Sequence, residues 1–254
     1  MKSLLTSMAI LLCINVFANT IFVDPSVTAG SVANTYPSLT SAIAASSNGD
    51  TIFIAAGSYA STSPIIIDKS LTIAPQDSNE IIDFYGSGGA NNIDMNVNGS
   101  AGMNVRLFNL KFNTLNLSAI NQANIILNNL SISSMNINGA ADMKVQMNNV
   151  NCANSIIANA STASVSSRTK VYLIDCNINT DLSIDQDYYE LICARCTIGV
   201  NTTFRYGSFV VSKTNNLTVN SEPGGGNNAD TLNKILIVAD TISNFFNYQN
   251  DNYK

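Results

Sequence analysis

Apolar residues alternate with polar ones in short runs, and the runs themselves recur at a fixed interval. Val105-x-Leu107-x-Asn109-Leu110-x-Phe112 is followed by Ile125-x-Leu127-x-Asn129-Leu130-x-Ile132 and Val145-x-Met147-x-Asn149-Val150-x-Cys152, each offset by 20 residues. Val171-x-Leu173-x-Asp175-Cys176-x-Ile178 follows after a step of 26, and Leu191-x-Cys193-x-Arg195-Cys196-x-Ile198 after another 20. Phe209-x-Val211 and Ile235-x-Ile237 are weaker members. A second short alternation lies between these rows: Met95-x-Val97, Leu115-x-Leu117, Met135-x-Ile137, Ile156-x-Ala158, Leu182-x-Ile184 and Leu217-x-Val219. A period of two puts the apolar side chains on one face of a strand. No stretch between rows is long enough for a crossover helix, which excludes an ordinary βαβ sheet. One turn of chain per repeat, with like positions stacked in parallel, is the remaining solution. The expected fold is therefore all-β, a single parallel β-helix of roughly eight or nine coils.

The Asn in each row sits where the apolar period slips from two to one. That slip predicts a tight bend, and Asn tolerates the left-handed backbone such a bend requires. Stacked Asn109, Asn129 and Asn149 would also pass amide hydrogen bonds from coil to coil. Ahead of the repeat, residues 37–47 (PSLTSAIAASS) place Leu39, Ala42 and Ile43 at helical spacing, with Pro37 at an early helical position and Gly49 past the end. A short N-terminal helix there would cover the open apolar end of the first coil. Residues 50–54 and 65–73 read as the first strands.

Several of these residues form a recognisable string: Tyr36-Pro37-Ser38-Leu39, Ala42-Ile43, Gly49-Asp50-Thr51-Ile52-Phe53-Ile54, Gly57-x-Tyr59 and Lys69-Ser70-Leu71-Thr72-Ile73. Over residues 20–75 it resembles the N-terminal entry of pectin-lyase-like, right-handed parallel β-helix proteins. The resemblance implies that the Asn rows act as that family's asparagine ladder. It also implies that the strands at Leu115 and Met135 belong to the sheet that commonly bears a polysaccharide groove. The family spans lyases, polygalacturonases, pectin methylesterases, adhesin-like proteins and phage tailspikes, and fold alone does not choose among them. Asn179-Thr180-Asp181 matches the NTD tripeptide of polygalacturonases, but the adjacent aspartate pair is missing and their GHG element needs a His. Gln76-Asp77 lies too early for the methylesterase pair, and Trp is absent.

Composition sharpens that choice. The 254 residues contain no His and no Trp, and only 11% are charged, with a net charge of −5. Without imidazole, Ser-His-Asp triads and His-ligated metals are excluded. The acidic balance argues against nucleic acid, which would need a basic stripe. At the N-terminus Lys2, the apolar residues 8–14 and Val16-Phe17-Ala18 read as a secretory signal, cleaved near Ala18. No segment reaches the roughly 18 apolar residues of a membrane span. The expected organisation is a signal peptide over 1–18, a cap and first strand over 19–60, the β-helix over 61–243 and a C-terminal tail or cap over 244–254. The product would be secreted, periplasmic or at the cell surface of a bacterium. A monomer is expected, with Phe245 and Phe246 covering the last coil. Four cysteines remain after cleavage: Cys152, Cys176, Cys193 and Cys196. Their even number permits two disulfides; the alternative is that they are small core residues. The lone Cys193-x-x-Cys196 lacks the second pair that a zinc site needs.

The register places Asn96, Asn116, Asn136, Ile157, Ser183, Asn201 and Thr218 outward on the second strand. This stripe is neutral, and Asn116, Asn136, Ser183 and Asn201 are its candidate carbohydrate-binding residues. Lyase chemistry needs a cation for the enolate-like intermediate and a base. Glycosidase chemistry needs two carboxylates. Neither pair lies in the stripe. Charge gathers later: Asp175 and Arg195 occupy successive ladder positions and should pair. Arg195, Arg205 and Lys213 are the candidate catalytic cations. Asp181, Asp185 and Asp187 are the candidate ligands for Ca²⁺, the one cofactor the sequence leaves open; otherwise no cofactor is expected. The expected function is a non-catalytic glycan-binding or adhesin-like module, its partner a polysaccharide or cell-surface glycan. The alternative is a polysaccharide lyase, or less readily a hydrolase, acting on an acidic polysaccharide.

Overall fold

The computed structural model describes residues 18–28, 30–86, 93–161, 163, 167–184, 189–198, 201–204, 207–212, 219–220 and 234–238. The signal segment, the step at residues 164–166 and the C-terminal tail with Phe245 and Phe246 lie outside the described residues.

Among the described residues the chain is all-β apart from one short helix, and its strands run parallel in two long sheets that do not close into a barrel. The first sheet has 11 strands, and its middle members are Asn104–Phe108, Asn124–Asn128, Lys144–Asn148, Thr169–Ile174 and Tyr189–Ala194. They pair in the order of the repeat. Val105 lies opposite Ile125, Ile125 opposite Val145, Val145 opposite Val171 and Val171 opposite Leu191. The step of 26 between the last of the regular rows and the next therefore inserts chain without shifting the register. The second sheet has 13 strands, centred on Leu110–Leu117 and Ser131–Gly139. There Leu115 stacks between Met95 and Met135, and Ile156 and Leu182 continue that column. Residues of both alternations, among them Leu107, Leu127, Phe112, Leu115 and Met135, are fully buried in one continuous core.

Two kinds of corner join the sheets. Asn109, Asn129 and Asn149 have φ of 54°, 52° and 53°, as the slip in period predicts, and Asp175 and Arg195 keep the same conformation at φ 54°. A second left-handed column, Gly102, Gln122 and Asp142, turns the chain back to the first sheet, with φ of 78°, 57° and 54°. Residue type does not mark that column.

The helix spans Leu39–Ala45 and buries Leu39, Ala42 and Ile43 against the first strands. Ser38 is its N-cap, so Pro37 lies just ahead of the helix and not at an early position within it: the Ser41 N–H donates to Ser38 Oγ at 3.2 Å. Its other end is held from a distance. Lys69 Nζ donates to the carbonyls of Ile43 and Ser46 at 2.7 and 2.9 Å, placing a cation at the negative end of the helix. Asp50 is buried and accepts from the backbone of Asn19 and Ser47 at 2.7 and 2.8 Å, tying the first strand to the helix exit. The segment where the resemblance is strongest is thus stitched by two charged side chains acting on backbone.

The irregular row is filled differently. Thr169 is fully buried, and its Oγ1 both accepts from Ala140 N–H and donates to Ala140 C=O, each at 2.9 Å. Tyr189, also fully buried, donates to the Ile137 carbonyl at 3.1 Å, and burial raises its phenol pKa. Gly139 faces both: a Cβ there would lie 2.6 Å from the Tyr189 oxygen and 2.7 Å from Thr169 Oγ1.

Candidate functional site

The neutral stripe is a ladder in its own right. Asn96, Asn116 and Asn136 stand opposite one another in register. Parallel strands lie about 4.8 Å apart, a spacing at which stacked side-chain amides meet. Asn116 Nδ2 donates to Asn96 Oδ1 and Asn136 Nδ2 donates to Asn116 Oδ1, both at 2.8 Å. Each amide has two N–H donors and two lone pairs on oxygen, so one step of the ladder leaves polar capacity on every rung. The three residues are half-buried, and the column ends at isoleucines: Ile66 opposite Asn96, 52% exposed, and Ile157 opposite Asn136, 38% exposed. Asn residues line the sheet surface while Leu and Met lie beneath because the strands alternate strictly here.

Ser183 follows Ile157 in register and is half-buried. Asn201 does not continue the stripe. It pairs with Asp181, and Thr203 takes the place opposite Ser183, with Asn220 next. The expected row Leu217-x-Val219 is displaced likewise: Val219 lies opposite Thr202, while Leu217 and Thr218 lie outside the described residues. Thr202 at a position that is Leu182 in the preceding row breaks the apolar alternation on which the expected register rested.

The corner ladder forms as expected. Asn129 Nδ2 donates to Asn109 Oδ1 at 2.9 Å and Asn149 Nδ2 to Asn129 Oδ1 at 3.0 Å. A further rung on the first sheet joins Asn148 Nδ2 to Asn128 Oδ1 at 2.7 Å. After Asn149 the column turns ionic. Arg195 Nε and Nη2 bind the two carboxylate oxygens of Asp175, each at 2.6 Å. The Arg195 hydrogen bond and charge hold the Asp175 carboxyl below the usual carboxylate range. Both side chains are about half exposed. Both Nε and Nη2 of Arg195 are thus engaged at a corner. Arg205 and Lys213, the other candidate cations, lie outside the described residues, as do Asp185 and Asp187. Asp181 is on the strand Asp181–Ile184. Among the described residues no group of three or more Cys, Asp or Glu side chains is disposed to hold a metal ion.

One recess escaped the sequence reading. On the first sheet a cavity of about 510 Å³ is lined by Gln122, Ala123, Asn124, Asp142, Lys144 and Lys170. Lys144 and Lys170 are directly opposite on neighbouring strands, and Lys170 Nζ reaches Glu190 at 3.8 Å. Gln122 and Asp142 stand at left-handed corners, a conformation that Asp tolerates and Gln does not announce. The signal was the 20-residue offset from Asn124 to Lys144, which shows only once the rows are aligned.

Compared with protein families, curated proteins and solved structures, the chain matches none. No helix among the described residues is long and apolar enough to cross a membrane.

Proposed function

We propose that this chain is an exported, monomeric, right-handed parallel β-helix protein of the pectin-lyase-like kind, and that it binds a glycan through its second sheet without cleaving it. The observation that carries the reading is the uncharged rank of Asn96, Asn116 and Asn136, hydrogen-bonded into fixed positions and flanked by exposed Ile66 and Ile157. Their spare amide donors and acceptors match sugar hydroxyls, and the isoleucines offer apolar surface to the C–H faces of the rings. Because the ladder already fixes the side chains, binding costs less conformational entropy than it would with free rotamers. The parallel in-register stacking, the left-handed Asn corners and the helix against the first strands support the β-helix reading. Arg195, engaged by Asp175, is poorly placed to meet an enolate.

Affinity electrophoresis against neutral and acidic polysaccharides tests the proposal. Retardation by at least one glycan is expected, lost in the double variant Asn116→Ala/Asn136→Ala and kept in Lys144→Ala on the other sheet, with circular dichroism confirming that both fold. Equal retardation of all three proteins would sink it. So would the release of unsaturated uronate, read by ultraviolet absorbance, from pectate, alginate or a glycosaminoglycan in Ca²⁺; that outcome would establish a lyase.

A further inference from the structure

Three buried thiols lie in the rows behind the ionic corner. Asp175 and Arg195 are paired, and Asn177 lies opposite Thr197, whose N–H donates to the Cys176 carbonyl at 2.9 Å. Cys176 and Cys196, between those pairs, are therefore opposite each other in successive rows. Their surroundings repeat with the rows. Cys176 Sγ lies 3.5 Å from the Met147 carbonyl and 3.4 Å from that of Ile174; Cys196 Sγ lies 3.4 Å from the carbonyls of Leu173 and Ala194. Cys193 comes from the strand before the corner, opposite Leu173. All three are buried, and Cys152 lies apart, with its Sγ at the Ser133 carbonyl and its Cα partner Ile178.

We propose that Cys176 and Cys196 form a disulfide that staples two successive rows together. The strand residues just past them are paired in register, and neighbouring parallel rows lie about 4.8 Å apart, inside the Cα separation of about 4.4–6.8 Å that a disulfide accepts. Cys193 has a leucine, not a thiol, at its opposed position, so Cys176 is the opposed partner of Cys196. Among the described residues no group of three or more Cys, Asp or Glu side chains, these thiols included, is disposed to hold a metal ion.

With a low-molecular-weight disulfide as oxidant, one thiol of the pair, losing its proton, attacks one sulfur and expels a thiolate, giving a mixed disulfide. The other, losing its proton, then attacks the protein sulfur of that mixed disulfide and expels the second thiolate. Two protein thiols are oxidised, one disulfide is reduced to two thiols, and the two protons end on the released thiolates. The sulfurs are enclosed in the folded chain, so the reaction belongs to folding, before later rows cover them.

The test is to refold the full chain in glutathione disulfide, block free thiols and digest with trypsin. Cleavage at Lys170, Arg195 and Arg205 leaves Cys176 and Cys193 on one peptide and Cys196 on the next. The expected result is the two peptides joined, lighter by two hydrogens, with fragment ions placing the bond at Cys176. Cys193→Ser should keep the link, and Cys196→Ser should abolish it. Separate peptides after oxidation, a bond placed at Cys193, or loss of the link in Cys193→Ser would each overturn the assignment. The oxidised protein should melt roughly 5 °C or more above the reduced one, and no difference between them would also count against a staple. The outcome is independent of glycan binding.

Discussion

The rows from Asn104 to Cys152 and those from Thr169 to Ile198 share one backbone and differ in what holds their corners. In the first set the left-handed residue at the corner leading into the second sheet is always Asn, and Asn129 and Asn149 each donate to the amide before. In the second set the same φ is held by Asp175 and Arg195, joined by two charge-assisted hydrogen bonds. Asn adopts that conformation readily, whereas an Arg at positive φ is uncommon and persists where its surroundings fix it. The left-handed turn is thus demanded by the stacking of the rows, and side-chain chemistry is free to vary as long as neighbours bond. What changes is sensitivity: the amide ladder is indifferent to pH and salt, and the ionic rung is not.

The harshest way to break the comparison is to hollow the core that both sets share. Phe112 is fully buried, and Phe112→Ala should cost about 3–5 kcal/mol, seen in chemical denaturation as a lowered midpoint affecting both sets together. A loss of protection confined to the early rows in hydrogen exchange would show that the two sets unfold separately. Next comes the amide ladder. Asn129→Ala removes two ladder bonds and puts a Cβ residue at positive φ, for about 2–3 kcal/mol. Asn129→Gly keeps the turn and loses only the bonds, for about 1–2 kcal/mol. Equal losses in the two variants would mean that backbone strain contributes nothing there. The smallest effect belongs to the ionic corner. The Asp175 pKa is lowered, so its contribution is complete above the ordinary carboxylate range and is lost as pH falls through the lowered value. Amides around Asp175 and Arg195 should lose protection in acid and in high salt, while those around Asn109 and Asn129 do not. Arg195→Ala should erase that contrast, and a persistent acid dependence would place its origin elsewhere.

Much of the architecture was legible. The 20-residue offset and the alternation fixed which side chains point inward, and the Asn at each slip of period marked one corner column. The helix was visible in Leu39, Ala42 and Ile43, although its cap proved to be Ser38. The second corner column was not legible, because Gly102, Gln122 and Asp142 have no residue type in common. Nor was the placing of Asn201: Thr202 occupies a position that is apolar in the preceding row, so alternation alone put the strand out of step by two residues. The candidate site was half legible. Asn116 and Asn136 were singled out as outward and neutral, but their bonding into a second ladder was not foreseen, nor was the recess at Lys144 and Lys170. The anchoring of the helix exit by Lys69 and Asp50 was equally hidden, since both act on backbone atoms that have no signature in residue type.

Taken alone, the sequence determined the all-β character, the parallel rows, the buried columns and the absence of any imidazole chemistry, because side-chain periodicity and composition are local and need no partner. Only the tertiary structure decided which further polar atoms meet: Asn116 with Asn96, Asn136 with Asn116, Asn148 with Asn128. Those contacts join residues 20 apart. They exist because backbone hydrogen bonds along a whole sheet hold every row in register at once, and no single row carries that information.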